Sequence, residues 1–178
     1  MDGLIADGDI KTPLEMFRDE KDQFFKKDPN SPLTENQRIK FTKLNYFPEN
    51  DKLRMELAME MIDPPVHVIL TTSTGDQRDY LHKGCIHFQV NNHDAELQVY
   101  TDGYGGYFIP FTDGTAPMET YGGGRYLEPE EISEGVLLVD FNLAYNPFCA
   151  YNDRWSCPIP PVENRIKVRI EAGEKNFK

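Results

Sequence analysis

Cysteine, long apolar runs and positive charge are all scarce in this chain of 178 residues. Its three cysteines are too few for the disulfide framework that supports small secreted domains. No segment approaches the roughly 20 apolar residues that a membrane helix needs, and the opening residues hold no apolar run of signal-peptide length. We therefore expect a cytoplasmic protein with reduced thiols and no membrane partner.

Basic residues are outnumbered by acidic ones, 19 against 30, which gives a formal net charge of −11. Binding to nucleic acid requires clustered lysine and arginine that neutralise phosphates, so this composition argues against a nucleic-acid partner. An acidic excess is typical of a well-solvated surface. The length suits one domain with a single core.

Two helix starts can be recognised near the beginning of the chain. Thr12 with Glu15 three positions later fits a capping box, and Pro13 suits the first helical position. Thr34 with Gln37 repeats the capping pattern and predicts a second, shorter helix.

Strand patterns dominate the remainder. Apolar residues alternate over Leu53–Met61, and Pro64 and Pro65 are expected to end that strand. Turn residues at 91–94 predict a hairpin. The further strand candidates are Val66–Thr72, Gly84–Val90, Ala95–Thr101, Tyr107–Phe111, Val136–Phe141 and Ile166–Glu171. We expect a mainly β fold, an antiparallel sandwich or short barrel of about seven to eight strands with one or two N-terminal helices.

The predicted domain organisation is simple. Residues 1–11 form a flexible tail and residues 12–178 a single domain, in which a helical segment, 12–47, packs on a β body, 52–175. Two loops, residues 112–126 and 142–165, are long enough to suggest function, and a pocket is expected where they converge.

The first loop places the triplet Gly122–Gly124 directly before Arg125. Consecutive glycines can gather backbone N–H groups into an anion nest, and a guanidinium can fork onto a carboxylate or phosphate. The spacing matches neither a P-loop nor a dinucleotide fingerprint. The alternative is a tight bend into a strand at 125–127, with Arg125 paired to a buried acid such as Asp140 or Glu119.

Three residues are candidates for catalysis: Glu119, Asp140 and Cys149. Two carboxylates that share a partly buried cavity hold one proton between them, and one can then act as an acid. A nucleophilic Cys149 would need a base within hydrogen-bond reach. A structural arginine–carboxylate pair is the alternative for both acids.

Cys149 and Cys157 are separated by seven residues, a spacing that signals zinc only weakly. Cys85 and His87 lie on one strand face and would complete a Cys₃His site if the fold brought the two pairs together. The alternatives for the late cysteines are buried structural thiols, or a disulfide or redox pair. No cofactor is predicted, and zinc at Cys149 and Cys157 stays an open alternative.

The predicted ligand-binding residues come from both loops. Tyrosines would line the walls, whereas the asparagines, together with Asn164, are either ligand contacts or pins that satisfy loop carbonyls. The set is Tyr121, Gly122, Gly123, Gly124, Arg125, Tyr126, Asn142, Tyr145 and Asn146.

The segments ETYGGGRYL, DFNLAYNPFCAY, CPIPPVENR and IEAGE, with PLTENQRIKFTKLNYFP and GGYFIPFTDGT before them, carry a family resemblance. Over about residues 14–175 the chain resembles the bacterial and archaeal domain of unknown function 1684. The resemblance implies one intact domain and no known activity. It places shared polar positions at Asp113, Glu119, Tyr121, Arg125, Tyr126, Asp140, Asn142, Tyr145, Asn146, Cys149, Cys157, Asn164 and Glu171, and does not include Cys85 and His87.

Three functional hypotheses follow. The first is a β domain that binds a small anionic molecule between the two loops, through Arg125. The second is an enzyme with a carboxylate acid or base, Asp140 or Glu119, and a Cys149 nucleophile. The third is a structural or interaction module without a pocket. Substrate identity and oligomeric state lie beyond the sequence.

Overall fold

A computed structural model describes residues 10–177, in two compact units, residues 10–43 and residues 44–177. The first nine residues of the predicted tail lie outside the described part of the chain.

The first unit contains helices α1 (Pro13–Lys27) and α2 (Glu35–Lys40). Both predicted capping boxes are confirmed. Thr12 accepts the Glu15 N–H and donates its own N–H to the Glu15 carboxylate, and Thr34 exchanges the same two bonds with Gln37. Neither helix is long and apolar enough to cross a membrane.

The second unit is mainly β, which confirms the predicted fold class. Five antiparallel strands form one open sheet in the order β3-β2-β1-β7-β6, and β4 pairs with β5 in a second sheet; no closed barrel is formed by residues 44–177. The strands are β1 (Arg54–Thr71), β2 (Gln77–Val90), β3 (His93–Thr101), β4 (Ile109–Phe111), β5 (Arg125–Leu127), β6 (Glu130–Ser133) and β7 (Val136–Asp140).

Strand alternation separates a core face from an outer face of the large sheet. The core face carries Ile86, Leu97, Val99, Leu137 and Val139, all fully buried. They form one hydrophobic cluster with β4 and with buried residues near the C-terminus. On the outer face, Glu60 of β1, His87 of β2 and Glu96 of β3 are exposed.

The prediction that Pro64 and Pro65 end a strand is wrong. β1 runs through both prolines, and its register with β2 shifts between Met61 and Val66. A proline removes one ladder donor, and a bulge absorbs that loss without ending the strand.

The predicted hairpin is confirmed, because β2 pairs with β3 from Leu81–Thr101 to Val90–His93. Asn91 and Asn92 form its turn with φ of 50° and 64°. Positive φ at both central residues is the conformation that matches the right-handed twist of two hairpin strands.

The strand predicted at Ile166–Glu171 is not formed, although the alternation on which it was based is real. Ile170 and Ala172 are fully buried, and Glu171 between them is exposed. The segment is extended but does not join either sheet. Of its backbone carbonyls, that of Ile170 binds the Arg125 side chain and that of Val168 accepts the Gly114 N–H.

Candidate functional site

Arg125 lies in the protein interior with 1% of its surface exposed. Its Nη1 donates to the carbonyls of Ala172 and Glu174 at 2.5 and 3.2 Å, and its Nη2 to the carbonyl of Ile170 at 3.0 Å. The carbonyls of Ile170 and Ala172 are two residues apart in an extended stretch and therefore point the same way, and Gly173, with φ of +76°, bends the chain before Glu174. The same Nη2 pairs with Asp113 at 3.2 Å.

Because Arg125 is buried, the prediction that it binds an external anion is wrong. A guanidinium with four internal partners cannot reach an external anion without opening the core. The alternative interpretation is that Arg125 begins a strand and pairs with a buried acid. It is confirmed for the strand and for the buried ion pair, but the acid is neither Asp140 nor Glu119. The acid is Asp113, which also accepts from Thr115 and from the Ile170 N–H at 2.7 Å.

The two predicted acid/base residues do not share a cavity. Asp140 accepts from Arg54 Nε at 2.8 Å and from Asn142 Nδ2 at 2.9 Å, at the end of β7. Glu119 forms an ion pair with the exposed Arg169. Each carboxylate has a separate cationic partner, and this arrangement favours the alternative of structural ion pairs.

The buried asparagines hold loops in place. The Asn142 side chain accepts the Asn50 N–H at 2.8 Å and donates to the Asn50 carbonyl at 3.0 Å. Asn164 exchanges the same two bonds with the backbone of Gln98. Asn146 donates to the Lys175 carbonyl at 2.9 Å. Asn142 and Asn146 are each 1% exposed, so their predicted ligand contacts are corrected to loop pins.

The two predicted loops do meet, along a groove of about 320 Å³ whose lining residues all come from residues 112–123 and 159–165. Gly122 and Gly123 line this groove, and Arg165 supplies its cation. Gly124 is required for packing, since φ is +94° and a Cβ there would lie 2.5 Å from Pro160 Cγ. We call this feature the loop groove.

A larger concave site, about 490 Å³, lies between β2, the β3–β4 connection and β5. Two predicted ligand-binding residues, Tyr126 and Tyr145, line it. We call it the aromatic cleft, because its walls carry six aromatic side chains: Tyr80, Tyr104, Tyr107, Phe108, Tyr126 and Tyr145.

Most rings of the aromatic cleft are fixed by contact with one another. Tyr80 stacks on Phe108 with centroids 5.5 Å apart, and Phe108 meets the edge of Tyr126 at 4.8 Å. The Tyr126 hydroxyl donates to the Pro158 carbonyl at 2.5 Å, and the Tyr145 hydroxyl donates to Glu128 at 2.9 Å. Burial raises the pKa of Tyr126 and of Tyr145, so both phenols are neutral. Tyr104 stands apart at the rim, 95% exposed.

The charges of the aromatic cleft are Arg78, Asp102 and Glu128. Asp102 accepts the Tyr104 N–H at 2.9 Å, and Glu128 is bound by Tyr145. Arg78 donates to the Ser156 carbonyl at 2.6 Å. Within residues 10–177 no carboxylate forms an ion pair with Arg78, whose side chain also lies in hydrogen-bonding range of the Tyr80 hydroxyl.

Two free thiols, those of Cys149 and Cys157, lie near the aromatic cleft, since Cys157 directly precedes the lining residue Pro158. The Cys149 N–H donates to Cys157 Sγ at 3.3 Å, and Tyr121 Oη lies 3.8 Å from Cys149 Sγ. Hydrogen bonding from the Cys157 thiol, opposed by burial, lowers the pKa of Cys149 to about 6. The same contact raises the pKa of Cys157. Burial raises the pKa of Tyr121 to about 12, so its hydroxyl keeps a proton to donate.

Sequence reasoning missed Arg78, Tyr80, Tyr104 and Phe108. One signal was present: Arg78 and Tyr80 are two residues apart in a strand and therefore share a face. Tyr104 and Phe108 belong to the connection between β3 and β4. Because β3 pairs with β2, this connection lies beside Tyr80 of β2. That pairing cannot be read from any single segment.

Comparison with known proteins identifies a family and solved structures of similar fold. A family model described as a protein of unknown function, DUF1684, matches residues 39–175. An uncharacterised protein of Haloarcula marismortui, solved by solution NMR, is 35% identical over 91% of both chains, with a TM-score of 0.70. No curated protein matches the chain.

Proposed function

This chain belongs to the DUF1684 family of proteins of unknown function, and we propose that it binds a small planar-ring molecule with a negative charge in the aromatic cleft. The proposal keeps the predicted small anionic ligand and moves it from Arg125 to Arg78. The observation that carries it is a guanidinium without an acidic partner beside a wall of fixed aromatic rings.

The rings support recognition of a planar molecule. Small-molecule sites are commonly concave, between about 300 and 1,000 Å³, with largely apolar walls and a few placed polar groups. The cleft, at about 490 Å³, lies in this range. Aromatic pairs in edge or offset geometry contribute roughly 0.5–1.5 kcal/mol beyond their burial, and a ligand ring can extend the Tyr80–Phe108 stack.

The charge supports an anionic substituent. Arg78 has five N–H donors and two internal partners, the Ser156 carbonyl and the Tyr80 hydroxyl, so a carboxylate or phosphate can still bind it in forked geometry. Asp102 and Glu128 already accept internal hydrogen bonds. Their presence favours a ligand that also carries a donor group away from Arg78.

The test compares three probes, 2-naphthoate, 2-naphthamide and octanoate, by NMR titration. We expect 2-naphthoate to bind most tightly, because it alone has both a planar ring and a charge. Arg78→Met should weaken 2-naphthoate about tenfold, the size of one hydrogen bond to a charged group, and leave 2-naphthamide unchanged. Tyr104→Ala should weaken both naphthyl probes about threefold.

Arg165→Met is the matched control, since Arg165 is an exposed arginine that binds one backbone carbonyl, that of Pro160. Its loss should leave all three affinities unchanged. If Arg165→Met and not Arg78→Met weakens 2-naphthoate, the loop groove is the anion site and the aromatic cleft is not. Absence of binding by every probe would favour the interaction-module hypothesis.

A second candidate function is thiol chemistry at Cys149. It is favoured by the contacts of the half-buried Cys149 thiol with Cys157 and Tyr121, which lower its pKa. A thiolate at neutral pH is the nucleophilic form of cysteine. This keeps the predicted Cys149 nucleophile and does not use Asp140 or Glu119, which lie in other ion pairs.

A further inference from the structure

The outer face of the large sheet brings three different donor groups together. Glu60 of β1 lies directly opposite Cys85 of β2, and His87 follows Cys85 by two residues on the same face. Gly84 permits this approach, because a Cβ at that position would lie 2.1 Å from the Glu60 carbonyl oxygen. Strand pairing therefore places a carboxylate, a thiol and an imidazole side by side.

The three donor atoms form a nearly equilateral triangle. His87 Nε2 lies 3.5 Å from both Cys85 Sγ and Glu60 Oε2, and Cys85 Sγ lies 3.8 Å from Glu60 Oε2. All three atoms lie within 4.8 Å of one another. The side chains of Glu60 and His87 remain accessible to solvent, at 74% and 50% exposed.

This triangle matches one face of a zinc tetrahedron. With Zn–S near 2.3 Å, Zn–N near 2.0–2.1 Å and Zn–O near 2.0–2.2 Å, tetrahedral angles separate the ligand atoms by about 3.4–3.6 Å. Two observed edges fall in that range, and the sulfur–oxygen edge needs to shorten by roughly 0.2–0.4 Å. A thiolate and a carboxylate would also neutralise the charge of a divalent ion.

The other nitrogen of the imidazole faces a carboxylate from β3. His87 Nδ1 lies 3.6 Å from Glu96 Oε2, and the second oxygen of Glu96 accepts from Gln98 Nε2 at 2.6 Å. A carboxylate on the far nitrogen of a histidine fixes its ring and strengthens it as a metal ligand. Glu96 is thus a positioning residue for His87.

We propose that Glu60, Cys85 and His87 form a three-residue site for Zn²⁺ on the outer face of the sheet. The fourth position points to solvent and can hold water, the arrangement typical of zinc sites that act on a further ligand. The site shares no residue with the aromatic cleft. It also differs from the four-ligand site considered in the sequence analysis, because it does not use Cys149 or Cys157.

The test uses Co²⁺ as a spectroscopic substitute for zinc on the full chain. One equivalent should bind and give a thiolate-to-cobalt charge-transfer band, which Zn²⁺ abolishes by competition. Cys85→Ser should remove the band. His87→Gln should weaken Co²⁺ binding at least tenfold. Glu96→Gln should weaken it about ten- to a hundredfold and keep the band at saturation, because Glu96 does not touch the ion.

The double variant Cys149→Ser/Cys157→Ser is the control and should retain both the band and the affinity. If that variant loses the band and Cys85→Ser keeps it, the metal binds the late cysteines and the proposal is wrong. Absence of Co²⁺ and Zn²⁺ binding by the unmodified chain would also overturn it.

Discussion

Replacing Arg125 with methionine should lower the free energy of unfolding by about 3–5 kcal/mol, the usual cost of breaking a buried ion pair from one side. The substitution keeps the apolar length of the side chain and removes the guanidinium. It deprives the carbonyls of Ile170, Ala172 and Glu174 of a donor and leaves the Asp113 carboxylate, 1% exposed, without its cation. Urea unfolding followed by the fluorescence of the single tryptophan, Trp155, measures the change.

Two further variants distinguish the loss of the buried ion pair from the effect of removing any arginine side chain. Arg165→Met removes an exposed guanidinium and should change stability by less than about 0.5 kcal/mol. Adding Asp113→Asn to Arg125→Met should recover about 1 kcal/mol or more, because it removes the unpaired buried charge. A loss below about 1 kcal/mol for Arg125→Met would mean that the C-terminal segment is held by other contacts.

Alkylation of Cys149 by iodoacetamide should follow a pH profile centred near 6, well below the ordinary thiol value of 9.0. The thiolate forms a carbon–sulfur bond and releases iodide, so the rate follows the ionised fraction. It should be near its plateau at pH 7 and fall as the pH drops below 6, where the thiol is protonated. Cys85, whose pKa is raised, should react later. Mass spectrometry of timed digests assigns each rate.

The neighbouring thiol provides the matched comparison. Cys157→Ala removes the hydrogen bond to the Cys149 sulfur and should raise the midpoint by roughly one pH unit or more. Cys157→Ser keeps a donor and should retain most of the shift. A wild-type midpoint above 8, or no response to Cys157→Ala, would remove the support for thiol chemistry at this site.

Local signals in the sequence predicted local structure well. The capping boxes at Thr12 and Thr34 depend on residues three positions apart, and the β2–β3 hairpin on a short turn. Prediction failed where distant contacts replace local rules. The strand expected at Ile166–Glu171 needs a partner strand, and the Ile170 carbonyl instead binds the side chain of Arg125, 45 residues away.

In the candidate site, too, local features could be predicted from the sequence, whereas contacts between distant residues could not. Tyr126 and Tyr145 are predicted ligand-binding residues, and both line the aromatic cleft. The sequence could not determine that Arg125 points inward while Arg78 points to the cleft, because each arginine lies in a strand one or two residues before a tyrosine, Tyr126 or Tyr80. Which face of a short strand is buried depends on what packs against it. The Glu60–Cys85 contact likewise depends on the register of β1 against β2.

Where 2-naphthoate binds is the most direct test of the central claim, that the aromatic cleft is the ligand site. Chemical-shift mapping of the ¹⁵N-labelled protein should place the largest changes at residues 78–80, 102–108 and 126–128, with residues 112–117 unchanged. Changes concentrated at residues 112–123 and Arg165, or scattered without saturation, would contradict the account.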